Sequence, residues 1–257
     1  MSQELFPQGA VLIVGGSGGI GRFIALEFAR AGADVAITYN TKAERAQSVA
    51  VEMGSLGRRV STHQLTVGDA DRVRDVLEEA IREHRRIHTI VYAAATLTYQ
   101  VLVAEITPEQ WRTAVNQDLN GFFNVLSASL PRMREQGGGS YVNIGSAGDL
   151  RWPERDALSV VPKAAIESLI RGVAREEGRH NIRANSVLVG VIEAGMFLEL
   201  TRSGVFDAAW IAETQKMLAL KRWGQPEEIG QAAVFLASNR AAYVTGQQLA
   251  VAGGYGL

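Results

Sequence analysis

The sequence predicts an α/β fold: a doubly wound parallel sheet of about seven strands with helices on both faces. Three observations carry that expectation. Short apolar runs recur along the 257 residues, amphipathic stretches fill most of the gaps between them, and a glycine-rich turn joins the first run to the first such stretch. Strands buried on both faces need helical crossovers, so this rhythm specifies a parallel sheet.

Taken in order, AVLIV (10–14) opens the chain as a continuous apolar run. ADVAITY (33–39), RRVSTHQL (58–65), HTIVYAA (88–94), SYVNIG (140–145), IRANSVLV (182–189) and QQLAVA (247–252) follow as strand-like segments. Thr107-Pro108-Glu109-Gln110 supplies a capping residue, a first-turn proline and a capping-box glutamine, the signature of a helix start. No low-complexity linker, repeat or charge block divides residues 1–257, so one domain is expected.

Composition bounds the function. A chain with 47% hydrophobic residues can bury a full core. A net charge of −1 leaves no electrostatic footprint for nucleic acid or an anionic membrane. The absence of cysteine excludes disulfides and thiolate metal sites. His63, His84, His88 and His180 show no ligand spacing with carboxylates, so no metal is expected. MSQELFPQGA lacks a basic leader region and VLIV is too short to span a bilayer; a cytoplasmic protein is expected.

The first chemical motif is VLIVGGSGGIGRFIALEFARAG (11–32). A strand runs into Gly15, Ser17, Gly19, Ile20 and Gly21 and opens a helix. The glycines allow a tight turn and close packing while free amides face a pyrophosphate. Gly16, Gly18 and Gly21 also satisfy GxGxxG, so spacing alone leaves the register open.

GGSGGIG resembles the GxxxGIG loop of the short-chain dehydrogenase/reductase family. The stretch 220–254, LKRWGQPEEIGQAAVFLASNRAAYVTGQQLAVAGG, resembles that family's last helix and strand. The resemblance covers the whole chain. It implies a Rossmann-like fold, a substrate lid at about 194–220, hydride transfer between NAD(P) and a carbonyl or alcohol, and tetramers built on two long helices and the last strand. The helices would run from about Asp118 to Arg134 and Val161 to Glu177.

The family's activity rests on Asn, Ser, Tyr and Lys. GSYVNIGSAG places the serine at Ser146, and the Tyr-x-x-x-Lys that follows it places the lysine at Lys163 but puts Ser159 where the tyrosine belongs. A phenol titrates near 10 and a neighbouring ammonium can pull it toward neutrality; an alkanol cannot be tuned that far, and it ends short of a phenol's reach. Pro162 fits a first helical turn. Trp111 and Gly121 anchor the asparagine position at Asp118, a carboxylate able to pair with Lys163.

Positions that handle the cofactor depart as well. The family's Asn-Asn-Ala-Gly reads Tyr92-Ala93-Ala94-Ala95, placing bulk beside the ribose. Thr66 stands for an adenine-binding aspartate, and Val189-Gly190 and Ala194 for the nicotinamide cradle. The terminal Asp-Gly-Gly becomes Ala252-Gly253-Gly254. After the second strand, Asn40 and Lys42 offer no acid for a ribose diol, which favours a 2′-phosphate if a nucleotide binds. NAD(P) is therefore expected to be weakly bound or absent. Arg82, Arg85 and Arg86 suit a helix C-terminus. Arg151, Trp152 and Arg155 fall at the expected pocket mouth, where they could grip a carboxylate or a coenzyme-A phosphate.

Two readings follow. In the first, the chain is a catalytically impaired subunit that completes a heterotetramer with an active paralogue, or a homotetramer. The resemblance here is to the non-catalytic partner in heteromeric members such as the 2-[hydroxy(phenyl)methyl]succinyl-CoA dehydrogenases of aromatic catabolism, whose complex acts on an acyl-CoA. In the second, it is an active NADPH-dependent 3-oxoacyl or ketone reductase, or a dehydratase, with Ser146, Ser159, Lys163, Asp118 and Tyr92 in changed roles.

Overall fold

Seven strands form one sheet in the order β3-β2-β1-β4-β5-β6-β7. The structure, a computed structural model, describes residues 4–95 and 97–257. The strands are β1 (Ala10–Val14), β2 (Asp34–Tyr39), β3 (Val60–Gln64), β4 (Ile87–Tyr92), β5 (Gly139–Ser146), β6 (Ile182–Val189) and β7 (Gln248–Val251). Every neighbouring pair is parallel, with Ile13 opposite both Ile37 and Val91. The strand order reverses at β1, which lies between β2 and β4, so the crevice beyond the carboxyl ends of β1 and β4 is where a ligand binds in such a sheet.

Helices cover both faces. On one, α1 (Gly19–Arg30), α2 (Ala43–Ser55) and α9 (Pro226–Ala237) pack Ile24, Phe28, Met53, Ile229 and Leu236 against Ile13, Ile37 and Val91. On the other, α3 (Ala70–His84), α5 (Gly121–Glu135) and α6 (Ala157–Glu177) pack Leu77, Phe122, Leu126, Ile166 and Ile170 against Leu12, Ile90 and Tyr92. The remaining helices are α4 (Pro108–Ala114), α7 (Met196–Arg202) and α8 (Ala208–Met217), the last two lying in the expected lid. Thr107 caps α4 with the reciprocal Thr107–Gln110 bonds that its sequence implies.

Two expected helices are reshaped. The segment read as a helix from Asp118 to Arg134 is divided between the end of a π-helical turn (Val115–Asn120), which follows α4, and α5. The second helix begins earlier than Val161, at Ala157, so Pro162 lies inside α6 rather than in its first turn. There its missing N–H leaves the Leu158 carbonyl without the usual helical donor. The helix holds its place through Glu167, a buried carboxyl that accepts from Asn143 Nδ2 at 2.8 Å and from Gln248 Nε2 at 3.2 Å. Burial raises the pKa of that carboxyl against the pull of its hydrogen bonds. Arg183 of β6 donates to the carbonyls of Leu236 (2.6 Å) and Ala237 (2.9 Å), tying down the end of α9. Arg86, just beyond the C-terminus of α3, donates to the Gly138 carbonyl at 3.1 Å. No helix among the described residues is long and apolar enough to cross a membrane.

Candidate active site

The glycine loop is built as its sequence requires. Gly15 has φ +83°, and a Cβ on it would stand 2.8 Å from the Ala94 backbone where the ends of β1 and β4 meet. A Cβ on Gly21 would lie closer still to the Gly15 carbonyl oxygen, so α1 approaches the turn only because Gly21 has none. The Gly15 amide donates to Thr38 Oγ1 at 3.0 Å, fixing the loop to β2. No side chain caps α1. Asn40 lies exposed just beyond β2, where its Oδ1 accepts from Thr66 Oγ1 at 3.2 Å, so these two positions do meet at one edge of the crevice.

Ser146 ends β5, and its Oγ accepts from the Gly148 amide at 3.1 Å. Ser159 lies buried in the first turn of α6, one turn before Lys163. The Lys163 ammonium donates to Asp118 Oδ2 at 2.8 Å, to the Ser159 carbonyl at 3.3 Å and to Ser159 Oγ at 3.4 Å. The structure thus brings together Asp118, Ser159 and Lys163. Among the described residues no hydrogen bond joins Ser146 to any of them. Asp118 is not a solvated helix residue: it is 2% exposed, turned inward by the π-helical turn, and its Oδ1 is buried without a partner. Lys163 directs its donors at Asp118 and Ser159.

Tyr92 corrects two expectations. Its ring does not stand beside a ribose but packs edge-on against Phe122 at 5.2 Å, and its hydroxyl donates to the main-chain carbonyls of Asp118 (3.2 Å) and Gln117 (3.3 Å). Burial, then the Asp118 charge, pushes the phenol's pKa well up, so it is a structural donor and not an acid or base. Asp156 was missed in the sequence. It stands at the N-cap position of α6, where its main-chain carbonyl accepts from the Ser159 amide at 3.0 Å and its carboxylate accepts from Gln100 Nε2 at 2.8 Å. Burial raises its pKa while Gln100 and Lys163 pull it back. Its place one turn before Ser159 was the available signal. At the mouth, the Arg151 guanidinium lies over the Tyr255 ring at 6.0 Å. Trp152 is 53% exposed and Arg155 has φ +68°.

Two histidines do find partners far from this site. Ser61 Oγ lies 2.8 Å from His63 Nε2 and 3.0 Å from His84 Nε2, and His63 Nδ1 faces Glu79 at 3.1 Å. No group of three metal-ligating side chains occurs among the described residues.

Comparison with known proteins bears on the whole chain. The family profile described as enoyl-(acyl carrier protein) reductase matches residues 15–256. The chain belongs to the short-chain dehydrogenase/reductase family. It is 32% identical over 243 residues to the 3-oxoacyl-[acyl-carrier-protein] reductase FabG of Thermotoga maritima, covering 95% of this chain and 96% of that protein. Identity is 34% to the FabG of Chlamydia trachomatis, with 95% of each covered. Among solved structures, carveol dehydrogenase from Mycobacterium avium, in complex with NAD, superposes with a TM-score of 0.91 at 26% identity, covering 98% of this chain and 99% of that one.

Whether the nicotinamide dinucleotide of such short-chain dehydrogenases fits here turns on the space before the glycine loop. Gly15 and Gly21 shape the cradle correctly. The space is narrowed, however: Gly195, at the start of the lid, lies against Gly19, a Cβ on either standing 3.2–3.3 Å from the other's Cα. Ala194 is buried and offers no side-chain donor. With the lid so placed, the main chain of Gly195 lies over the first turn of α1, and no chemical step of this chain is routed through the dinucleotide.

Proposed function

We propose that this chain is a short-chain dehydrogenase/reductase subunit whose own hydride chemistry has lapsed, and that it serves as structural partner of an active paralogue. The observation that carries this reading is the Asp118–Lys163 pair at 2.8 Å beside a serine at the tyrosine position. The ammonium that would poise a phenol is turned to a carboxylate, and the phenol is absent. The names of the FabG relatives suggest a 3-oxoacyl or hydroxyacyl thioester as the substrate of the complex.

Exposed apolar groups support the partner role. Phe122, Val125, Leu126, Ile166 and Ile170 are consumed by the core, whereas Phe123 on α5 is 53% exposed, and Phe235, Tyr243 and Leu249 around α9 and β7 are 43%, 103% and 38% exposed. Buried in an obligate interface, such groups stabilise the protomer as well as the assembly.

A second reading, an active NADPH-dependent 3-oxoacyl reductase or dehydratase, is favoured by identity to FabG proteins along nearly the whole chain and by the presence of Ser146 and Lys163. Co-expression with a paralogue, light scattering and assay on a 3-oxoacyl thioester separate the two. The proposal expects no turnover by the lone chain and a complex of about four chains with the paralogue. Turnover by the lone chain, or a stable monomer near 27.7 kDa indifferent to the paralogue, would overturn it.

A further inference from the structure

The lid begins at a backbone contact that two glycines make possible. Gly195 has φ +53° and ψ −123°, a conformation open to glycine alone, and a Cβ placed on it would stand 3.2 Å from Gly19 Cα and 3.8 Å from the Ile20 amide nitrogen. Gly19 itself has φ +43°. The main chain of Gly195 therefore lies over the first turn of α1, whose amide donors have no side-chain cap and form the natural seat for an anion.

The contact is held from both sides. Before it, Ile192 bridges to Gly224, the Glu193 amide donates to the Gly224 carbonyl at 2.9 Å, and Gln225 Nε2 donates to Glu193 Oε2 at 2.5 Å. After it, Phe197 packs on Trp223 at 5.3 Å, within an aromatic group that stacks Trp210 on Phe206 at 3.7 Å. Both anchors reach residues 223–225, so the segment between them is pressed onto Gly19 from a common base. Swinging it away breaks the strand-like bridge or the aromatic packing, and nothing in the Ala194 side chain could bind a ligand in compensation.

We propose that Gly195 holds the dinucleotide cradle of this chain shut with its own backbone, so that nucleotide is excluded by a closed lid and not by a damaged glycine loop. The inference rests on the impaired-subunit reading only for its biological sense, since it concerns binding and not turnover. A closed state lowers apparent affinity by the fraction of time the site is open. Opening the lid therefore reveals affinity that the cradle already has.

Gly195→Ala tests this, because the added methyl meets Gly19 and the backbone conformation no longer suits the residue. Isothermal titration with NADPH and with NADH, together with hydrogen exchange of residues 19–21 and 191–197, gives the readouts. The wild-type chain should show no protection of either segment by nucleotide. The variant should exchange faster at 19–21 without ligand, gain protection there with it, and bind at least about tenfold tighter. If Gly195→Ala does not fold, Phe197→Ala loosens the aromatic anchor without backbone strain and should act in the same direction.

Wild-type binding below about 10 μM with protection at 19–21, or a folded variant no tighter than wild type, overturns the proposal. Regained binding without turnover supports it and leaves the impaired-subunit reading intact. Turnover by the lone wild-type chain needs bound nucleotide and defeats both, whereas wild-type binding without turnover defeats the closed lid alone.

Discussion

Lys163 Nζ stands 2.8 Å from Asp118 Oδ2, with side-chain exposures of 12% and 3%. Such a pair gains Coulombic energy in a poorly solvated site but gives up the hydration of both ions, so its net worth is small while the penalty for removing one partner is large.

Asp118→Ala and Lys163→Met should therefore each destabilise by about 3 kcal/mol. The double variant should be markedly less destabilised than the sum of the two. Urea unfolding of the four proteins decides this; small, additive losses would mean that the pair is screened by water.

Restoring the phenol alone should not restore chemistry. In Ser159→Tyr the lysine remains bound to Asp118, and residues that act as a unit are not recovered singly. NADPH-dependent reduction of a 3-oxoacyl thioester should stay far below ordinary turnover, on the order of 1 s⁻¹. A rate near that level would show that only the tyrosine was lacking.

Acid should weaken the fold through His88. Burial, then the Arg86 charge, lowers its pKa from 6.5 to about 4, and its Nε2 is buried without a partner. Between those values the unfolded chain binds a proton that the folded chain refuses, so stability falls as pH falls through this window, by about 3 kcal/mol in all. His84, also lowered by burial, acts in the same direction, whereas the raised carboxyls of Glu167 and Asp156 oppose it. The difference between wild type and His88→Leu isolates the effect: the variant should lose about one proton's worth of slope. Parallel stability curves would refute it.

Tyr92→Phe should remove a buried donor to the Asp118 and Gln117 carbonyls, at a cost of about 1 kcal/mol. That corresponds to a Tm lower by about 2–4 °C. Altered nucleotide binding at unchanged Tm would return the phenol to the site.

The sheet was readable because its strands are short apolar runs bounded by helical periods, and the glycine loop because each glycine answers a steric demand. The Asp118–Lys163 pairing was also readable, since residue type and spacing put both at family positions. The inward turn of Asp118 was not, because a change from α to π hydrogen bonding has no residue signature. The direction of Tyr92 could have been read from strand parity: it shares a face with Ile90, which packs toward α3 and α5, and not with Val91. The contact between Gly19 and Gly195 joins distant parts of the chain and depends on backbone conformation, so composition and spacing could not reveal it.

The π-helical turn at Val115–Asn120 makes this site depend on chain length as well as residue identity. A turn of that kind holds one residue more than an α-turn. Deleting a single residue among 115–117 would let the segment return to α-helical hydrogen bonding and shift the residues inside the turn, Asp118 among them, relative to Lys163. An indel that leaves Ser146, Ser159 and Lys163 untouched thus reaches the ion pair directly. Among relatives, the gap pattern at this turn carries information about the state of the lysine that a residue-by-residue comparison of catalytic positions would miss.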